Sequence, residues 1–300
     1  MKAKISIIII VLIAFTCIVS SCKTIDILAQ VAGATGFIDQ NTANAISMSA
    51  KAIGTAAEEI TPEQEYYIGR AVAANILSTY SIWNGNPALT SYLNLICTAI
   101  TINSPKPDVY SGYHVAILNN DEINAFATSG GHIFVTRGLI GAARTEDALA
   151  AVIAHEIAHI QLQHSIKAIK SSRITQALLV TGTAAAGAVT GMDVNQLTDV
   201  FNESIGEIIQ TMVNSGYSQT QEFDADRTAM SLLAGAGYNP AGLLEMLNVL
   251  NSMYVPSSSG FGKTHPSPAQ RITNAQRSIG SYNAADTSSS RQARFAAATR

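Results

Sequence analysis

His155-Glu156-Ile157-Ala158-His159 is the segment whose residue types and spacing point most directly to chemistry. On a helix the two histidines lie about 40° apart around the axis, so both imidazoles project from one face and can hold one metal ion. Neutral imidazole is a good zinc ligand. Glu156 lies beside that face, within reach of a water on the metal. A zinc ion lowers the pKa of such a water to near 7 and polarises a carbonyl. Glu156 would take the water's proton and later pass it to a leaving amine. The chemistry expected of this segment is peptide-bond hydrolysis with one Zn2+ per chain.

A catalytic zinc site typically takes three protein ligands and leaves one position for water. Glu222, in Glu222-Phe223-Asp224-Ala225-Asp226, is the best third ligand. Asp226 is four residues on and shares its helix face. It is placed to accept the distal N–H of a zinc-bound histidine. Asp224 should point elsewhere. His164 follows His155 by nine residues, so a straight helix carries it about 180° away. A third histidine ligand on the same helix would also need Gly at 162 and His at 165. The chain has Leu162 and Ser165.

These residues need helices to position them. Thr145 suits a helix cap, and Glu146 and Asp147 suit the positive end of the helix dipole, so the histidine helix starts there. Its apolar pattern runs through Ile160. Thr61, Pro62 and Gln64 form a capping-box signature that predicts a helix over 62–79. Asn84-Gly85-Asn86-Pro87 is a turn before a second helix over 88–100. Between Tyr113 and Thr136 the period shortens. Strands are expected at 114–118, 123–128 and 132–136, joined by Asn119-Asn120-Asp121 and Ser129-Gly130-Gly131 as turns, which predicts an antiparallel meander. Helical periodicity returns near 194–213, 219–233, 240–253 and 268–278. The Ala/Gly/Thr-rich stretch 177–192 reads as a mobile lid or helix hairpin. The fold class is α+β, mainly helical, with a small antiparallel sheet beside the histidine helix.

The motifs together resemble the gluzincin metallopeptidases, most closely the HtpX / CAAX prenyl protease family. The resemblance is carried by the His155 and Glu222 segments, by Asn124-Ala125-Phe126-Ala127-Thr128, and by Gly130 through Leu139 ahead of the histidine helix. Glu63-Gln64-Glu65 with Gly69-Arg70 is similar to the family's opening helix. His265-Pro266 with Arg271 is similar to its late His-Pro…Arg motif. It covers roughly 60–280 and implies a zincin-like fold with a zinc endopeptidase activity. It also implies a quality-control role on misfolded or misassembled envelope proteins. Three readings of His265 stay open: a structural histidine, an oxyanion stabiliser, or a group that swings to zinc and displaces water. Substrate is expected along a free strand edge, with Asn124, Ala125, Phe126 and Ala127 the candidate contacts. A competing reading is an envelope assembly chaperone with a largely latent zinc site.

The N-terminus reads as an address. Lys2 and Lys4 precede the apolar run 5–15, and Val19-Ser20-Ser21-Cys22 resembles a bacterial lipobox. That pattern predicts a signal peptide over 1–21, cleavage before Cys22 and lipid on its sulfur. Residues 22–60 would be a membrane tether or N-terminal helix, 61–280 the peptidase domain and 281–300 a disordered tail. Lys23 carries no obvious inner-membrane retention signal, which favours the outer membrane of the periplasm. Cys97 then remains as a buried small hydrophobe.

The composition fits such a chain. Of 300 residues, 47% are hydrophobic and 13% charged, against about 25% charged in an ordinary domain. The net charge of −3 leaves no basic footprint for nucleic acid. Expected partners are polypeptide substrates, a membrane and the outer-membrane assembly machinery.

Overall fold

The computed structural model describes residues 22–37, 39–41, 43–44, 47, 60–167, 206, 209, 216–253, 264–265, 267–282 and 289–299. The expected signal peptide 1–21 and the stretch 177–192 lie outside them. The chain divides into two compact units, residues 1–59 with 169–204, and residues 60–168 with 205–300. In the first, helix α1 (Cys22–Ala34) carries Asp26, which accepts from Gln30 at 2.8 Å and from Ser47.

The second unit holds every candidate metal, catalytic and substrate residue, and Cys22 belongs to the first. Its helices begin where their caps dictate. Thr61 and Gln64 bond reciprocally, 2.9 and 3.2 Å, to start α2 (Pro62–Thr79). Asn86 accepts from Leu89 N–H at 3.1 Å, and Pro87 opens α3 (Pro87–Thr101). Both devices satisfy backbone donors that the first helical turn leaves unpaired.

Strands β1 (His114–Leu118), β2 (Ala125–Ala127) and β3 (His132–Thr136) form one sheet in the order β1-β3-β2. The expected antiparallel meander is corrected here. β1 pairs with β3 in parallel along all five residues, His114 opposite His132 through Leu118 opposite Thr136. Only β2 and β3 are antiparallel. The reason is length. β2 offers three residues, whereas β3 matches all five of β1, and Asn119–Asn124 is longer than a tight hairpin turn needs. Thr136 Oγ1 also donates to Glu122 and Asn124 carbonyls (2.6 and 2.9 Å), fixing that connection against the end of β3.

Helix α4 (Arg137–Ala142) follows directly, capped by Thr136. Helix α5 (Glu146–Gln161) then runs through the middle of the unit with all sixteen residues buried. It packs mainly on α6 (Gln219–Gly235) and α7 (Ala241–Ser252), and also on α3 and β2. Gly242 permits the α7 approach, because a Cβ there would meet the Asp147 carbonyl oxygen at 2.4 Å. Helices α8 (Pro268–Ile279) and α9 (Ser289–Ala298) complete the unit.

The expected disordered tail is also corrected, because α9 is anchored by charge. Arg294 Nε donates to Glu146 Oε2 at 2.9 Å, and the Arg291 guanidinium lies 3.7 Å from Asp147 Oδ2. Tyr92 donates to Glu146 at 2.7 Å, and Phe295 is buried. The acids stand in the first turn of α5, as expected, and are in addition enclosed and partnered. The low hydrophobicity of 281–300 hides this, since two arginines and one phenylalanine make the contact.

Candidate metal centre

Helix α5 presents His155 and His159 one turn apart, and α6 presents Glu222 and Asp226 one turn apart. The two pairs face each other. Ligand atoms of His155, His159, Glu222 and His265 all lie within 4.8 Å of one another, and all four residues are buried. The Nε2 atoms of His155 and His159 are 3.0 Å apart. Each is 3.5 Å from a Glu222 carboxylate oxygen. His265 Nδ1 donates to Glu222 Oε1 at 2.9 Å, and its Nε2 lies 3.8 Å from Glu156 Oε1. Glu156 Oε1 has no hydrogen-bond partner among the described residues.

Around this cluster the supporting contacts divide in two. His155 Nδ1 meets Asp226 Oδ1 at 3.0 Å. Arg271, from α8, donates to both Asp226 oxygens at 2.9 and 2.6 Å and lies 3.0 Å from Glu222 Oε2. His159 instead stacks on Tyr217, ring centroids 4.1 Å apart, and its Nδ1 is 2.9 Å from His164 Nδ1. Asp224 points away and pairs with Arg227.

Titration follows these contacts. Burial raises Asp226, but the Arg271 guanidinium overrides it and holds the carboxyl at about 2. Burial likewise opposes ionisation of Glu222, yet His265 and Arg271 keep it well below the usual carboxylate range. Glu156 is raised, because burial outweighs the pull of His265 and His155. Burial and Arg271 disfavour a charge on His155, while hydrogen bonds to Asp226 and Glu222 lift it to about 9. Burial lowers His159 well below its ordinary value, and burial with Lys167 lowers His164 to about 4.

The donor set fits a divalent cation. Three buried carboxylates, Glu156, Glu222 and Asp226, stand against one guanidinium, Arg271. The two remaining negative charges are met either by imidazole protons or by a 2+ ion. Two imidazole nitrogens and a carboxylate oxygen are also the ligand chemistry of a zinc-type centre.

The sequence reading placed His155, His159, Glu222, Glu156 and Asp226 near one another, and the structure brings them together with His265. Asn124 to Ala127 lie on β2 and its entry, against α5. Asn124 Oδ1 accepts from Thr264 Oγ1 at 3.1 Å, which ties this strand to the His265 segment. Thr136 N–H donates to Asn124 carbonyl at 3.1 Å and Thr128 N–H to His132 carbonyl at 2.9 Å. In that register residues 124, 126 and 128 spend their backbone groups on β3, while Ala127 directs its own to the opposite edge and the Ala125 N–H is taken by Asn124 Oδ1 at 2.9 Å. Cys22 stands at the start of α1. The Arg271 clamp and the Tyr217 stack were missed. Neither has a local signal, since both depend on which helices meet.

A His-Glu-x-x-His helix with a carboxylate supplied by a second helix is the arrangement of a gluzincin-type metallopeptidase domain. Comparison with known families agrees with it. The chain belongs to peptidase family M48, whose model matches residues 89–279. A beta-barrel assembly-enhancing protease of Yersinia pestis is 27% identical over 213 residues, 70% of this chain and 43% of that protein. The protein of the same name from Escherichia coli is 27% identical over 193 residues, 64% of this chain and 39% of its own length. The Escherichia coli metalloprotease LoiP is 33% identical over 150 residues, 50% of this chain and 56% of its own. The chain thus spans about half the length of these curated relatives, or less. Among the described residues, no helix is long and apolar enough to cross a membrane.

Proposed function

We propose that this chain is a zinc-dependent endopeptidase of the bacterial periplasm, tethered through a lipid on Cys22 to the outer membrane. The observation that carries the reading is the enclosed cluster of His155, His159 and Glu222 with Glu156 beside it. Bound zinc supplies Lewis acidity and a water of lowered pKa. Asp226 accepts the proton on His155 Nδ1 and so turns the Nε2 lone pair inward. Arg271 holds Glu222 and Asp226 in one orientation. Glu156 Oε1, which has no hydrogen-bond partner among the described residues, would take a proton from the water and return it to the leaving nitrogen. An extended substrate lies along β2, with Asn124, Ala125, Phe126 and Ala127 as its contacts. Two relatives bear the name beta-barrel assembly-enhancing protease, and that name supports the reading that the substrates are misfolded or misassembled envelope proteins.

A second reading is an assembly chaperone with a latent zinc site. It is favoured by His265 joining the other three donors, because four protein ligands would close the centre. One experiment separates the two: measure bound zinc and casein cleavage for wild type, Glu156→Gln and His265→Ala. The peptidase reading expects zinc in all three and cleavage lost only in Glu156→Gln. Undiminished cleavage by Glu156→Gln sinks the assigned role of that residue. Cleavage that appears only in His265→Ala favours the latent form.

A further inference from the structure

We propose that His164 is a positioning residue, which fixes the His159 imidazole through a hydrogen bond between their Nδ1 atoms. The inference rests on the metal centre described above, and two observations carry it.

The first is the contact itself. The two nitrogens are 2.9 Å apart, and both rings are buried. At that distance one nitrogen donates and the other accepts. His159 turns its Nε2 to the cluster, 3.0 Å from His155 Nε2 and 3.5 Å from Glu222 Oε1. A ligating nitrogen must be bare, so the proton of the neutral ring sits on His159 Nδ1. His164 Nδ1 then accepts it, which makes His164 the Nε2–H tautomer. Tyr217 lies against the face of the same ring and fixes its plane, whereas His164 fixes its rotation within that plane.

The second is the backbone that delivers His164. A continued helix would carry this residue to the far side of α5. The helix instead ends at Gln161, and Gln163 has φ 54°. Among the described residues it is the one non-glycine residue whose φ falls in the left-handed region. Such a conformation is uncommon and persists where its surroundings enforce it. Here the Gln163 amide donates to Glu65 of α2, while Lys167 N–H closes the next turn on Gln163 carbonyl at 2.9 Å. The left-handed residue swings the chain round and sets His164 under His159.

The two histidines of α5 are therefore held differently. His155 has a carboxylate behind it, clamped by Arg271, and His159 has an imidazole. A carboxylate at 164 would add a negative charge to a set that a divalent ion already neutralises. An imidazole accepts the proton without adding charge.

The test compares zinc affinity, by competition with a chromophoric chelator, for the full chain and its His164→Leu and His164→Asn variants. Melting of the metal-free proteins is measured alongside. Asn offers an acceptor oxygen where His164 has Nδ1, and Leu offers none. His164→Leu should weaken zinc about 10–100-fold, and His164→Asn should recover most of that loss. Equal zinc affinity in wild type and His164→Leu overturns the proposal, as does a His164→Asn no better than Leu. Long-range 15N–1H correlation of the zinc-loaded wild type adds a measurement that needs no variant to fold. A bare Nδ1 and a protonated Nε2 on His164 support the proposal, and a protonated Nδ1 overturns it. A wild-type chain with no affinity for zinc overturns the metal centre itself, and this inference with it.

Discussion

Arg271→Leu tests the charge balance of the centre. The substitution removes a guanidinium that meets Asp226 at 2.6 and 2.9 Å and Glu222 at 3.0 Å. Both carboxylates are fully enclosed, so water cannot replace it. Breaking a buried pair from one side costs about 3–5 kcal/mol. A domain of about 200 residues shifts by about 2–4 °C per kcal/mol, so the metal-free variant should melt about 6–20 °C below wild type. Calorimetry after chelation reads this directly. The double variant Arg271→Leu with Asp226→Leu removes the Asp226 pair as a unit and leaves Glu222 as the carboxylate that has lost its guanidinium. Matched apolar replacement of a buried pair is often near neutral, so the double variant should melt above the single one. It should still bind zinc about 10–100-fold more weakly, because His155 Nδ1 has lost its acceptor. A single variant melting within about 2 °C of wild type, less than ~1 kcal/mol, would refute the role given to Arg271.

Five further outcomes follow from positions away from the metal. Arg294→Ala should cost about 1–2 kcal/mol in urea unfolding, because buried Glu146 loses its guanidinium and keeps only the neutral Tyr92 and Tyr238 hydroxyls of these three partners. Deleting residues 289–300 should cost more, since Phe295 and Arg291 leave as well; an unchanged midpoint would mean that α9 is idle. Gly242→Ala should destabilise by about 1–3 kcal/mol, because the new Cβ meets the Asp147 carbonyl at 2.4 Å. Gly141→Ala, with nothing within 4 Å of the added carbon, should be neutral or slightly stabilising in the same thermal melt. Burial pushes the Cys97 thiol up to about 12, so iodoacetamide at pH 8 should leave it unlabelled in the native chain and label it in urea, as read by peptide mass mapping.

What was legible in the sequence is what local chemistry encodes. The Thr61 and Thr145 caps mark their helices because capping is settled within four residues. The i, i+4 spacings of His155 with His159 and of Glu222 with Asp226 set each pair on one face before any tertiary contact is known. The strands were legible and their pairing was not: alternation marks 114–118 and 132–136 as extended, but says nothing of which partner matches five residues. His164 was placed wrongly because helical periodicity was carried past Gln161, and no residue-type rule marks a glutamine for positive φ. Helix α9 was missed because its composition is polar. Its stability comes from two arginines reaching acids that stand about 145 residues earlier. Arg271 was visible only as part of a motif; that it joins Glu222 to Asp226 depends on how α6 meets α8.

The enclosure of the donor atoms has a kinetic consequence. No ligand residue of the centre is more than 3% exposed. A chelator in solution, like a polypeptide substrate, reaches an ion held there only when the surrounding chain opens. Loss of metal is then clocked by that opening, and adding chelator speeds it only up to a ceiling. The same opening would set the slowest amide exchange at the start of α6. A protein whose metal centre is this deeply enclosed keeps its ion through transient shortage and releases it on the timescale of its own fluctuations.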